Sequence, residues 1–427
     1  MRKIKFIDLF AGIGGFHKAM EIVAKNNNYD IECVFVSEID PYAIKTYLNN
    51  FLINEEKIIN IKDLDDSSSQ VPDHDFLFAG FPCQSFSNAG NKKGFLDEIR
   101  GTLFFDIAKI LKNKKPKYIL LENVKHLINH DNGKTWKIII DTLRDELGYI
   151  IPKDPLVLSP EQFGTPQGRQ RVFIPGVLKE KTNTLEKYIN FNFEKLKLNN
   201  QLNNSDDNKV IKYIADNFLE KNVDKKYFLN KKNEKDLYLL KVFDAWNDFL
   251  KNVKKPEGRT LPVIWTDEFG KNYSTKDLSA WKRKYILDMR NLYENNKKFI
   301  DTWLKKYDVK NWNKREKKLE WHVGKNENDL KKSIIQLRQS GIRCKKPTKF
   351  PTLVAMVQIP IIYDFEKKSW RYLSPRETAN LQNFPRDYKI YNEISKNNSD
   401  FYSYKQFGNS INVSIVSLLQ EHLLNNY

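Results

Sequence analysis

A pentapeptide near the start, Ala11-Gly12-Ile13-Gly14-Gly15, leaves few folds open to this chain. Before it, Lys5-Phe6-Ile7-Asp8-Leu9-Phe10 reads as a buried strand; after it, Phe16 to Val23 opens a helix. Strand, glycine turn and helix let the backbone approach a ligand that the helix N-terminus faces. Such turns also occur for packing reasons. A second apolar run, Cys33-Val34-Phe35-Val36-Ser37, ends at Glu38. An acidic residue roughly 20 residues beyond the turn, at the end of the second strand, is placed for ribose hydroxyls. The two features together predict a nucleoside cofactor.

Strands and helices keep alternating. Pro41 starts a helix through about Phe51, and Ile59-Asn60-Ile61-Lys62 reads as a third strand ending at Asp63, placed for an adenine amino group. A solvated turn with Asp65 and Asp66 is the other reading of Asp63. Asp75-Phe76-Leu77-Phe78-Ala79 is a strand running into Gly80-Phe81-Pro82-Cys83-Gln84-Ser85. A long polar loop, 88–100, follows, then a helix from Thr102 to Leu111, the strand Tyr118-Ile119-Leu120-Leu121-Glu122-Asn123-Val124 and a helix from Trp136 to Leu147. This alternation predicts an α/β fold: a mostly parallel, Rossmann-like sheet with helices on both faces. Its ligands belong at the carboxyl ends of the strands. The glycine turn, Glu38, Cys83 and Glu122 all fall there, so they converge on one edge. A lone cysteine is more often an inert buried thiol, but its neighbours here reverse that expectation. Further on, Gln167-Gly168-Arg169-Gln170-Arg171 precedes a strand, so Arg169 and Arg171 share a face and suit an anion or a carbonyl-rich base edge.

After Val177 the composition shifts. Residues 178–350 are rich in Lys and Asn and hold six of the eight tryptophans. Leu239, Phe243, Trp246 and Leu250 lie on one helical face. Three segments follow: a cofactor-binding core over 1–177, a second domain over 178–350, and a return to the core over 351–427. Ser374-Pro375-Arg376-Glu377 in the last segment is a capped helix start. The formal net charge of +18 suits a polyanionic partner, nucleic acid first. Cys33, Cys83 and Cys344 are too few for a disulfide framework and suit a reducing cytoplasm. There is no signal-peptide pattern, no run of about 18 apolar residues that would span a membrane, and no zinc-ligand spacing.

Taken together, Asp8-Leu9-Phe10-Ala11-Gly12-Ile13-Gly14-Gly15, Glu38, Gly80-Phe81-Pro82-Cys83-Gln84, Arg100-Gly101-Thr102-Leu103-Phe104, Glu122-Asn123-Val124, Gln167-Gly168-Arg169-Gln170-Arg171, Pro375-Arg376-Glu377 and Gly408-Asn409-Ser410 resemble, in order, the DNA (cytosine-5) methyltransferases of bacterial restriction–modification systems. The likeness covers about residues 4–177 and 351–423.

The resemblance implies a site-specific methyltransferase that takes its methyl group from S-adenosyl-L-methionine, leaving S-adenosyl-L-homocysteine. It makes Cys83 the nucleophile at cytosine C6, Glu122 the group at N3, Arg169 a contact to the cytosine carbonyl, and Arg171 the residue that orients Glu122 or the nearby backbone. Phe10, Gly12, Gly14, Glu38, Ile39, Asp63, Pro82, Leu103, Asn409, Ser410 and Ile411 become cofactor contacts. Many members carry Trp where Ile39 stands. The target base must be flipped out of the duplex, with the 88–100 loop as the segment that closes over it. Ser85, Arg100, Arg343, Lys345 and Lys346 are candidate DNA contacts, and 178–350 becomes the target-recognition domain. The expected partner is double-stranded DNA, bound by a monomer that is paired functionally, though not physically, with a restriction endonuclease. The expected setting is the bacterial cytoplasm, on the nucleoid. Rival readings are a tRNA cytosine-5 methyltransferase, whose Cys-Phe-Thr signature is not found here, a catalytically silent DNA-binding homologue, and a nicotinamide oxidoreductase. The last leaves Pro82-Cys83-Gln84 unexplained.

Overall fold

The computed structural model describes residues 3–82, 102–194, 200–204, 206–255, 260–395 and 400–427. The chain forms two compact units, Met1–Ser205 with Thr378–Tyr427, and Asp206–Glu377.

In the first unit, β1 (Ile4–Leu9), β2 (Ile31–Ser37), β3 (Phe76–Gly80) and β4 (Tyr118–Val124) pair in the order β2-β1-β3-β4, all parallel. β5 (Tyr149–Ile150) and β6 (Leu156–Leu158) both pair antiparallel to β7 (Arg171–Leu178), which itself runs antiparallel to β4. Strands β1, β3 and β4 read as unbroken apolar runs because both faces of the sheet are covered. Ile7, Leu9, Leu77, Ala79, Ile119 and Leu121 pack on one face beneath Ile107 and Leu111 of α3 (Leu103–Lys114) and Ile139 of α4 (Lys134–Asp141). On the other face Phe78 stacks on Phe16 of α1 (Gly15–Asn27), 5.4 Å between ring centroids.

The helices begin where capping chemistry puts them. Asp40 accepts from the Tyr42 amide at 2.9 Å to open α2 (Pro41–Leu48), with Pro41 at the first position. Thr102 accepts from Phe105 N at 3.2 Å to open α3. The third strand expected before Asp63 does not form. Ile61–Asp63 is a 3-10 turn, and only a single bridge from Ile58 to Val36 joins this stretch to the sheet. The Asn60 side chain accepts from Lys62 N at 3.1 Å and closes the turn locally, in competition with a ladder.

The second unit holds a six-stranded sheet in the order β13-β12-β10-β11-β9-β8. Its strands are β8 (Ile264–Trp265), β9 (Lys318–His322), β10 (Ile334–Arg338), β11 (Gly341–Lys345), β12 (Ile361–Asp364) and β13 (Ser369–Tyr372). β9 and β11 are parallel and the other pairs antiparallel. Leu239, Phe243, Trp246 and Leu250 of the helix Glu234–Asn252 form one buried face, packed with Ile300 and Trp303 of the helix Ala280–Lys306 and with Leu319, Trp321 and Ile342 of the sheet. The compositional boundaries at 178 and 350 both fall short of this unit's ends. Residues past 178 stay on the first unit, where the Ile189 amide donates to Ile151 O at 3.3 Å. Residues past 350 include β12 and β13, which extend the second sheet through Ile361 opposite Ile335. A shift in residue composition does not reveal pairing of this kind. At the end of the unit the Ser374–Glu377 box forms as expected: Glu377 N donates to Ser374 Oγ at 3.1 Å, and Ser374 N donates to Glu377 Oε2 at 2.8 Å.

Candidate active site

The carboxyl ends of β1 to β4 open onto a cavity of about 680 Å³, whose walls among the described residues all belong to the first unit. The turn after β1 carries a run of left-handed residues, Phe10 (φ 55°), Gly12 (φ 56°) and Gly14 (φ 78°). Glycine is needed at Gly14 for a second reason: a Cβ there would sit 2.2 Å from the Phe51 ring. A Cβ on Gly12 would meet no atom within 4 Å, so that side of the turn is open backbone on the cavity wall.

Glu38 organises the next wall. Its Oε2 accepts from Gly12 N at 2.7 Å, and its Oε1 from Ile39 N at 2.7 Å and Asp40 N at 2.8 Å. The carboxylate is thereby fixed in place, with lone pairs left for hydroxyl donors. Ile39 is 72% exposed beside it. Asn60, Ile61 and Lys62 line the adjoining wall. Asp63, expected there, is exposed and off the wall, because the 3-10 turn rotates it away. Asn60 is the residue that the sequence reasoning missed. Its Oδ1 caps the turn, while its Nδ2 is bonded to nothing among the described residues. An Asn two positions before a 3-10 amide it caps was the available signal.

Pro82 and Leu103 also line the cavity. Asn123 Nδ2 donates to Phe81 O at 2.8 Å and ties the end of β4 to the turn that leads into Pro82. Cys83 follows Pro82 in sequence. Cys83, Ser85, Arg100 and the 88–100 loop lie outside the described residues.

Glu122 is the next group on the cavity wall, from the end of β4. Arg171 Nε lies 3.0 Å from its Oε1, reaching diagonally from its place opposite Val124 on the antiparallel strand β7. Burial raises the Glu122 carboxyl above its ordinary value, against the opposing charges of Arg171 and Arg169. Such a carboxyl is held nearer to the protonated form than a surface glutamate. Arg169, also buried, sends Nη2 to the carbonyls of Gly408 (3.0 Å) and Ser410 (2.6 Å). Burial and the neighbouring Arg171 push its guanidinium down to about 9, which leaves it charged at neutral pH. The sequence pairs Arg169 with a substrate carbonyl; here it anchors the segment Gly408–Ile411, whose Asn409, Ser410 and Ile411 close the cavity. That closure is tight: a Cβ on Gly15 would come 2.6 Å from Ile411 Cγ1.

Of the expected cofactor residues, Phe10, Gly12, Glu38, Ile39, Pro82, Leu103, Asn409, Ser410 and Ile411 share this cavity with Glu122, Arg169 and Arg171. Gly14 does not line it and packs on Phe51 instead. The candidate DNA contacts in the second unit are engaged within it. Arg343 Nε bonds Glu320 at 2.6 Å, Lys346 Nζ lies 2.7 Å from Asp207, and Lys345 sits in β11 opposite Ile334.

Residues 4–425 match the family described as C-5 cytosine-specific DNA methylase. Across 99% of the chain it is 31% identical to the Type II methyltransferase M.BanI of Aneurinibacillus aneurinilyticus, of which the match covers 96%. It is 46% identical to the Type II methyltransferase M.HpaII of Haemophilus parainfluenzae over 42% of the chain and 47% of that protein. Among solved structures it is similar in fold to a DNMT2 mutant from Spodoptera frugiperda, with a TM-score of 0.57 at 18% identity, covering 99% of this chain and 100% of that one. The Dnmt2 methyltransferase of S. pombe gives 0.54 at 18% identity, with the same coverage.

Proposed function

The chain belongs to the C-5 cytosine-specific DNA methylases, and from that premise we propose that its cavity brings S-adenosyl-L-methionine against a flipped-out cytosine, with Cys83, Glu122, Arg169 and Arg171 carrying the reaction. The protein is a DNA (cytosine-5) methyltransferase of the Type II restriction–modification kind.

The cavity's chemistry fits the donor. Glu38, fixed by three amides, accepts from ribose hydroxyls; Gly12 leaves room for close approach; Ile39 and Ile61 offer apolar contact to a purine; Asn60 offers an amide to its edge. When bound, S-adenosyl-L-methionine supplies an electrophilic methyl on a sulfonium and leaves as S-adenosyl-L-homocysteine.

Cytosine C5 is a poor nucleophile. Addition of the Cys83 thiolate to C6 makes C5 enamine-like, so it takes the methyl; a base then removes the C5 proton and the thiolate departs. Glu122 donates to N3 as electrons move into the ring, which requires the protonated carboxyl that its burial favours. Arg171 holds that carboxyl in place. The observation that carries this reading is the pairing of buried Glu122 with half-buried Arg171 on the wall of a nucleoside-sized cavity.

Residues of the second unit read duplex DNA, one target cytosine at a time, as a monomer. The modification protects host DNA in the cytoplasm from a matching endonuclease. Among the described residues no helix is long and apolar enough to cross a membrane.

Bisulfite sequencing of DNA from a methylation-free bacterial host expressing this chain tests the proposal. Cytosines protected within one short motif, and lost with Cys83→Ser, support it. No protection from a folded, expressed protein overturns it.

A further inference from the structure

Three residues stand side by side across the middle of the second sheet. Gln336 on β10 faces Arg343 on β11, and Arg343 faces Glu320 on β9. The alternation of a strand puts their side chains on one face, while Ile335, Ile342, Cys344, Leu319 and Trp321 fill the core on the other. Glu320 is the hub of this polar face. Its Oε2 accepts from Arg343 Nε at 2.6 Å, Arg338 Nη1 reaches the same carboxylate at 3.2 Å, and His322 Nε2 lies 3.8 Å away. Burial alone would raise the Glu320 carboxyl, but the Arg343 hydrogen bond and the charges of Arg343, Arg338 and Lys318 outweigh it and hold it below its ordinary value.

Two guanidiniums on one carboxylate leave the face net positive, and one of them is incompletely used. Arg343 spends only its Nε on Glu320; its two Nη groups make no bond among the described residues, and the side chain is 31% exposed. The Nε bond fixes the plane of the guanidinium on a strand, the most rigid support available. What remains outward is the end-on pair of Nη donors. That fork matches two adjacent acceptors in one plane, as guanine presents with O6 and N7 in the major groove. A phosphate contact needs neither a fixed plane nor a buried carboxylate behind it, and a flexible lysine would serve.

We propose that Arg343, held by Glu320, reads one guanine of the recognition sequence, and that Glu320 is its positioning residue. This rests on the assignment of the chain as a DNA methyltransferase. It narrows the expectation that Arg343 contacts DNA to contact with a base edge.

The test is the methylated motif itself, mapped by bisulfite sequencing from hosts expressing the wild-type chain, Arg343→Lys and Glu320→Gln. Lysine keeps the charge and loses the fork. The expected result is a motif that becomes degenerate at one guanine, or its symmetry mate, in Arg343→Lys, with the same position relaxed to a smaller degree in Glu320→Gln. An unchanged motif methylated at lower density would mean a phosphate or purely structural role and would overturn the proposal. A wild-type chain that protects nothing would sink the methyltransferase assignment and this inference with it, so the two failures are separable. A second measurement alters the DNA rather than the protein. Duplexes with 7-deazaguanine placed at each motif guanine in turn remove one N7 acceptor. The wild-type enzyme should lose on the order of 10-fold in affinity at one guanine, and Arg343→Lys should lose nothing further there. Equal affinity for every substituted duplex would refute the assignment to guanine.

Discussion

Arg171 Nε and Glu122 Oε1 lie 3.0 Å apart, so the carboxyl that burial drives toward its protonated form is pulled back by the guanidinium that positions it. The two effects oppose each other by design of the site: one sets the proton supply, the other the direction in which it is offered.

A pH profile follows from that opposition. Glu122 donates only when protonated, so kcat/KM for DNA should decline as pH rises through its raised pKa. Arg171 lowers that pKa, so Arg171→Ala should move the declining limb to higher pH while reducing the maximal rate. Glu122→Gln should cost on the order of 10²–10⁴-fold in single-turnover methylation, the usual share of a positioned acid. A limb that stays put in Arg171→Ala would detach the two residues from one another.

Arg169 separates two roles cleanly. If its bonds to the Gly408 and Ser410 carbonyls hold the cavity's last wall, Arg169→Ala should weaken S-adenosyl-L-homocysteine binding by about 10-fold or more, since charge-assisted bonds contribute about 1.5–3 kcal/mol each. Calorimetric titration without DNA reads this directly. Unchanged cofactor binding with lost turnover would place Arg169 on the cytosine instead.

Asn60 should take the cofactor-binding place that the sequence gave to Asp63. Asp63→Ala should leave cofactor affinity within about twofold. Asn60→Ala should weaken it by about 1 kcal/mol through the lost amide and lose part of the turn's cap besides. Asn60→Asp, which retains the capping oxygen, distinguishes the two contributions by equilibrium binding and thermal melting.

Gly15→Ala places a methyl against Ile411, 2.6 Å from Cγ1. We expect a cost of about 1–3 kcal/mol in stability, typical of overpacking, together with weakened cofactor binding. The double variant with Ile411→Ala should recover much of it. A double-mutant cycle by urea denaturation measures the coupling; additive losses would mean the segment moves aside freely.

Ile39 presents an exposed aliphatic surface to the cavity, at the position where the family resemblance led to the expectation of a Trp. Ile39→Trp should tighten cofactor binding by about 0.5–1.5 kcal/mol through ring stacking, read as a lower Kd in the same titration.

Much of the first unit was legible because its signals are local. A glycine turn between a strand and a helix, an acid at the end of the next strand, and a carboxylate closing an apolar run each lie within a few residues of one another. The chain therefore shows Glu38 and Glu122 on the cavity wall before any pairing is known. Asn60 was missed because a side-chain cap can close a turn where the hydrophobic pattern suggests a strand. Arg343 was legible as a candidate DNA contact but its partner was not, because Glu320 lies on a separate strand and no periodicity links parallel strands across a sheet. The C-terminal end of the second unit was misplaced for the same reason: β12 belongs to it by pairing with β10, and β13 by pairing with β12, which composition does not record.

The glycine turn is finished from far away. Gln420 Nε2 bonds Phe16 O at 3.1 Å across 404 positions of sequence, and Ile411 presses on Gly15 from the same stretch. On a ribosome adding ~5–20 residues per second, about 20–80 s separate the two halves of that contact. A nascent chain can thus complete its second unit and still lack a finished wall for the methyl donor. Translation order delays the enzyme's competence until its closing residues emerge, and a stalled fragment, however well its early sheet forms, would carry the machinery of methylation without the means to hold its reagent.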